Sequence, residues 1–317
     1  MVTLSFTAIA LLATRLTCAA VHSRREVQNV TIPSGFSRLL FYDGFSGAPG
    51  SQPDLSKWTF DLGTSYPGGP PNWGTGETQT YTNEKANVHI TEDGTLRITP
   101  LRSSNGTWTS ARIETTAEWD FGARKNEIVR AEARIRLGNN PKETQLGIWP
   151  AFWALGSPYR GNYQNWPAVG EIDILENVNS EPKLWQVVHC GVAPGGPCNE
   201  FDGLSHVAEP VVRGAWYTVA WELDRRPSWF PFWDREERMH WYVDGVRQFT
   251  VTESDVGDDT AWKGLAENSK FLLLNVAVGG AFPDGVAGFK TPTNATIGGE
   301  GASMEVDYVA VYSHWYF

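Results

Sequence analysis

The chain has 317 residues, of which 41% are hydrophobic, 20% charged and 13% aromatic, a composition that excludes an intrinsically disordered chain and a coiled coil. Its formal net charge of −10 argues against a non-specific nucleic-acid binder, which needs a phosphate-neutralising surface. Fifteen tryptophans, fifteen phenylalanines, ten tyrosines and 32 glycines favour strands joined by tight turns over helices.

Residues 1–20 are expected to be a secretory signal. Val2 to Ala13 is mostly apolar, and Cys18-Ala19-Ala20 is a small-residue cleavage context. A membrane span needs ~20 apolar residues, so no membrane anchor is expected. Arg24-Arg25 suggests dibasic processing, which makes residues 21–38 a short propeptide and polar lead-in.

From residue 39 onward the pattern is that of strands. Leu96 and Ile98 alternate with Arg97 and Thr99. Ala131, Ala133, Ile135 and Leu137 share one face of a strand, and Arg130, Glu132, Arg134 and Arg136 share the other. Trp241 to Phe249 reads as a hairpin turning at Asp244-Gly245. Asp259 to Glu267 is a candidate short helix. Phe271 to Val278 is nearly continuous apolar, as in a strand buried on both faces. Met304 to Tyr312 alternates again. Long aromatic-rich loops are expected at 63–82, 156–168 and 225–238. Strands without crossover helices predict one all-β domain over residues 39–317, a sandwich of two antiparallel sheets.

With Cys18 in the signal, Cys190 and Cys198 remain, flanking a Gly/Pro-rich segment. They are expected to form a disulfide that pins a loop, the alternative being two free thiols. No CxxC pair supports a zinc site. Asn29, Asn105 and Asn294 each begin an N-x-T sequon, which fits the surface of a secreted, extracellular or cell-wall protein.

The most informative stretch is Gly170-Glu171-Ile172-Asp173-Ile174-Leu175-Glu176. In a strand, Glu171 and Asp173 point to one face and Ile172 and Ile174 to the other. Strict alternation would then bury Glu176 and expose Leu175. A β-bulge near Ile174-Leu175 removes that conflict and puts three acids on one face. Such a row repels itself, which is useful where one carboxyl must stay protonated near neutral pH. Retaining glycoside hydrolysis needs that pairing: one carboxylate attacks and one carboxylic acid protonates the leaving oxygen. The competing reading is a solvated acidic face or a cation site. Trp149, Trp153 and Trp166 close by favour the first, because indole faces stack on sugar rings.

Glu171 to Glu176 resembles the signature of glycoside hydrolase family 16 in its bulged, laminarinase-like form. Trp73 to Thr82, Thr109 to Arg112, Trp149 to Leu155, Leu274 to Gly280 and Val306 to Tyr312 resemble the family in the same order. The segment around Cys190 and Cys198 resembles secreted fungal members. The resemblance implies a concanavalin-like β-jelly roll with an open cleft. It implies Glu171 as nucleophile, Glu176 as acid/base and Asp173 as the carboxylate that tunes them. It places Trp153, Trp166, Arg112, His189 and Asn275 along the cleft. Arg112 is expected either to hold sugar hydroxyls or to pair with an acid. No cofactor is expected. Some members bind calcium at a position matched by Asp307, but Asp43-Gly44-Phe45 lacks a second acid common there, and no metal is assigned.

The leading expectation is a retaining endo-β-glycanase acting as a monomer on β-1,3-glucan, with a polysaccharide as its only partner. A β-1,3-galactanase, a mixed-linkage glucanase and a cell-wall transglycosylase are the enzymatic alternatives. A glucan-binding protein that does not cut is the alternative from a different class.

Overall fold

The computed structural model describes residues 30–226 and 236–316. The expected signal, Arg24-Arg25 and the Asn29 sequon lie outside the described residues, as does the centre of the loop expected at 225–238. The body begins at Gly35.

Its strands, in chain order, are β1 Arg38–Asp43, β2 Trp58–Phe60, β3 Thr80–Tyr81, β4 Val88–Ile90, β5 Leu96–Ile98 and β6 Leu101–Arg102. There follow β7 Trp108–Ser110, β8 Arg112–Thr115, β9 Glu127–Leu137, β10 Ile148–Gly156, β11 Glu171–Glu176 and β12 Leu184–His189. The last six are β13 Leu204–Ala208, β14 Trp216–Asp224, β15 Arg238–Val243, β16 Val246–Thr252, β17 Lys270–Val278 and β18 Met304–Trp315.

Two large antiparallel sheets form the jelly roll. One runs β16-β15-β14-β9-β18-β5-β4, with β1 also on β18; the other runs β13-β12-β11-β10-β17-β8-β2. A small third sheet, β3-β7-β6, contains a parallel pairing of β3 with β7 that the sequence did not announce.

Alternation explains the packing. Ala131, Ala133, Ile135 and Leu137 of β9 enter the main core. On the opposite face Arg130 pairs with Glu132 and Glu222, and Arg136 with Glu305. Along β17, Leu272, Leu274, Val276 and Val278 fill the core between the sheets, whereas Phe271 and Leu273 join a second cluster on the other face. This strand is buried on both faces, as its apolar run requires. At the β15–β16 turn Asp244 and Gly245 both have positive φ, as a two-residue hairpin with the right twist demands. The short helix Asp259–Ala266 is capped by Asp258, whose Oδ1 accepts from Ala261 N at 2.8 Å. Asn105 and Asn294 are exposed, so both described sequons lie on the surface. Among the described residues no helix is long and apolar enough to cross a membrane.

Candidate active site

The acid strand β11 carries the expected bulge. Its partner β10 pairs Trp153 with Asp173 but Phe152 with Leu175, so Ile174 is the extra residue. On the other side β12 pairs Val187 with Asp173 and Trp185 with Glu176. Ile172, Ile174 and Leu175 are all in the main core. Glu176 therefore returns to the face of Glu171 and Asp173. The bulge interrupts the ladder, and the Asp173 carbonyl accepts from Trp241 Nε1 of the facing sheet at 2.9 Å.

Sheet order gathers the other expected residues. Reading β12-β11-β10-β17-β8 gives His189, the three acids, Trp153, Asn275 and Arg112 on five adjacent strands. Trp166, on the loop between β10 and β11, comes over His189 with ring centroids 5.6 Å apart. Trp153 donates to Asn275 Oδ1 at 2.8 Å, and Asn275 donates to the Tyr81 hydroxyl at 3.1 Å.

Arg112 takes the second of its two expected roles. Its Nε donates to Asp61 Oδ2 at 2.9 Å, and its guanidinium lies 4.7 Å from the Trp73 ring and 4.8 Å from the Trp153 ring. It is 5% exposed and fixes the aromatic floor of the site, with little of it left for a sugar hydroxyl.

The acids are not a solvated face. Asp173 is 5% and Glu176 7% exposed. Burial pushes Glu176 up to about 7, with the Glu171 charge adding to the rise, although the Trp149 indole and His189 pull the other way. Trp149 Nε1 donates to Glu176 Oε1 at 2.8 Å. Burial also raises Glu171, but His189, Arg112 and the Trp166 indole favour its ionised form. Asp173 is held well above the carboxylate range by burial and then by Glu176, Glu171 and Glu200. Its Oδ2 has no hydrogen-bond partner; His189 Nε2 stands 3.5 Å away. Burial thus raises all three coupled carboxyls: Glu171, eased back by His189, Arg112 and Trp166; Glu176, to about 7; and Asp173, well above its ordinary value.

Oxygen and nitrogen atoms of Glu171, Asp173 and His189 approach within 4.8 Å of one another. His189, beside these acids, is raised above its ordinary value by Glu200, Glu171 and Glu176. Asp307 accepts from Arg134 Nη1 at 2.6 Å, and both Asp43 oxygens accept, from Phe45 N and Trp58 Nε1.

Some of the site was not anticipated. Glu200 accepts from Cys190 N at 2.8 Å and lies 2.7 Å from His189 Nδ1. Phe201, 66% exposed, stacks on Trp166 at 6.0 Å. Beyond Glu176, Phe282 packs edge-on against Trp149 and Trp185 at 5.6 and 5.4 Å. Aromatic rings therefore stand on both sides of the acids. The expected disulfide joins Cys190 and Cys198, both fully buried.

The family described as "XgeA-like, catalytic GH16 domain" matches residues 79–197. The endo-1,3-β-glucanase of Streptomyces sioyaensis superposes with a TM-score of 0.83 at 44% identity, covering 90% of this chain and 99% of that one. The "Beta-glucanase" of Rhodothermus marinus is 31% identical over 82% of this chain and 80% of its own length. "Glucan endo-1,3-beta-glucosidase A1" of Niallia circulans is 29% identical over 86% of this chain, which spans only 37% of that protein. These relatives are bacterial, so the expected likeness to a fungal type is not borne out. Identity of this extent, over nearly the whole of a relative, means that the chain belongs to glycoside hydrolase family 16.

Proposed function

We propose that this chain hydrolyses internal β-1,3 linkages of glucan with retention of configuration. The observation that carries the reading is the bulged acid strand, which puts Glu171 and Glu176 on one face, where burial raises Glu176 to about 7. Glu171, ionised beside His189 and Arg112, attacks the anomeric carbon. Glu176, carrying its proton up to about 7, protonates the departing oxygen and then activates water. The names of the relatives support glucan as substrate, and the flanking rings suit an extended polysaccharide bound across the acids. The buried disulfide supports an oxidising, extracellular setting.

The test is release of reducing ends from laminarin and from β-1,3-galactan, measured side by side, with proton NMR of the first product. Laminarin cleavage giving a β-anomer is expected. Preference for the galactan overturns the substrate, and an α-anomer overturns the mechanism. Binding without release of reducing ends would return the glucan-binding reading.

Trp166→Ala is expected to cost about 1–3 kcal/mol of transition-state binding while the protein stays folded. The loop position of Trp166, over His189 and against Phe201, motivates this. Unchanged kcat/KM on the polymer rejects the stacking role, and a collapse in Tm assigns the ring to packing instead.

Burial and the neighbouring acids favour the neutral form of Asp173, which Asp173→Asn imitates. The alkaline limb of kcat/KM should stay within about half a pH unit of its original place. A fall of a unit or more would show that Asp173 is charged at neutral pH.

A further inference from the structure

The segment that the disulfide closes reaches the acid cluster through Glu200. This residue lies two positions beyond Cys198, and its backbone pairs in both directions with Gly195 inside the loop. The Glu200 carboxyl is fully enclosed, its side chain 0% exposed. One oxygen accepts from Cys190 N, and the other meets His189 Nδ1 at 2.7 Å. Across the ring, His189 Nε2 faces Asp173 Oδ2 at 3.5 Å. The ring has little room to turn. Trp166 stands over it, and a Cβ added at Gly203 would come within 3.0 Å of His189 Cε1.

An enclosed carboxylate requires a compensating positive charge. His189 is the cationic side chain in contact with Glu200. We propose that Glu200 is a positioning residue, which holds His189 as an imidazolium against Asp173 and is itself held in place by the Cys190–Cys198 loop. This rests on the hydrolytic reading above. The imidazolium then supplies, from β12, a fixed charge that keeps Glu171 ionised. The charged and titratable groups around His189 are Glu171, Asp173 and Glu176 on β11 and Glu200 on the loop, with Arg112 acting on Glu171 from β8. Burial pulls the imidazole down, but Glu200, Glu171 and Glu176 outweigh it, which leaves His189 above its ordinary value.

The experiment follows the His189 ring by ¹³Cε1–¹H NMR, assigned with His189→Gln, in the wild type and in Glu200→Gln. In parallel, kcat and KM on laminarin are measured against pH. His189 should titrate above about 6.5 in the wild type and fall by about one unit or more in Glu200→Gln. Near neutral pH, where the wild type still carries the imidazolium and the variant does not, kcat should fall about tenfold with KM nearly constant. His189→Gln should lose about as much, and the double variant no more than the larger single loss. An unchanged His189 titration, or an unchanged pH profile with only Tm lowered, overturns the proposal. If Glu200→Gln does not fold, a wild-type His189 titrating at or below about 6.5 overturns it just as well. A wild type that releases no reducing ends overturns the hydrolytic reading instead, and the ring titration still decides whether Glu200 charges His189.

Discussion

Glu171→Ala should abolish hydrolysis of every glycoside tried, activated or not, with a loss on the order of 10⁵-fold or more in kcat. No glycosyl-enzyme forms without the attacking oxygen, and the remaining acids are unsuited to replace it. Burial pushes Asp173 toward its neutral form, and Glu176 retains its proton to about 7. The loss should be chemical and not structural. Folding raises the pKa of Glu171, so its contribution to stability falls as pH rises through the carboxylate range. At neutral pH its removal relieves a buried charge, and Tm should stay within about 5 °C of the original despite the lost packing. Azide added with an activated aryl β-glucoside should enter the vacated face and give the α-azide. A variant that retains more than about a hundredth of the activity, with wild-type contamination excluded, would remove Glu171 from the role of nucleophile.

The sandwich and the acid trio were legible in the sequence for a common reason. Both are written in period two. Ala131 to Leu137 and Leu272 to Val278 alternate or run apolar because one or both faces are buried. The bulge was legible because period two fails there: Leu175 and Glu176 fall on the wrong faces unless one residue is inserted. An anticipated break in a local rule thus marked the site. The disulfide followed from counting cysteines.

The rest depends on where distant segments arrive. The knot of Asp61, Tyr66, Arg112, Glu114 and Arg160 joins three separate stretches of chain, and none of these residues has a local pattern that shows its partner. For Arg112 the sequence left two roles open, and only the fold brings Asp61, Trp73 and Trp153 around it. Glu200 is a single acid after a glycine-rich loop, and only the fold shows that it ends against His189. Asp173 was expected to act as a charge. Adjacent carboxyls repel, but the sequence does not show how burial weighs on each; in the fold it raises Asp173 well above its ordinary value, and its Oδ2 lacks a hydrogen bond.

Glu176→Ala should separate the two halves of the reaction. On laminarin the leaving group is a sugar hydroxyl that needs a proton, so kcat/KM should fall by about 10³–10⁴-fold. On an aryl β-glucoside with an acidic phenol, the leaving group departs unaided and glycosylation should survive. Deglycosylation still lacks its general base, so a burst of phenol followed by slow turnover is expected. Azide needs no base and should restore turnover, giving the β-azide because it attacks the intermediate from the face that Glu176 occupied. The pH profile provides a second check. With Glu176 near 7, the wild-type alkaline limb of kcat/KM should lie close to that pH, because above it the acid has lost its proton. The variant acting on the activated substrate should lose that limb, since no proton is donated. An α-azide, or an alkaline limb that persists unchanged in Glu176→Ala, would place the acid/base elsewhere. The Trp149 indole sharpens the experiment. It donates to Glu176 Oε1 and lowers the pKa of that carboxyl, so Trp149→Phe should move the same limb upward while leaving retention intact.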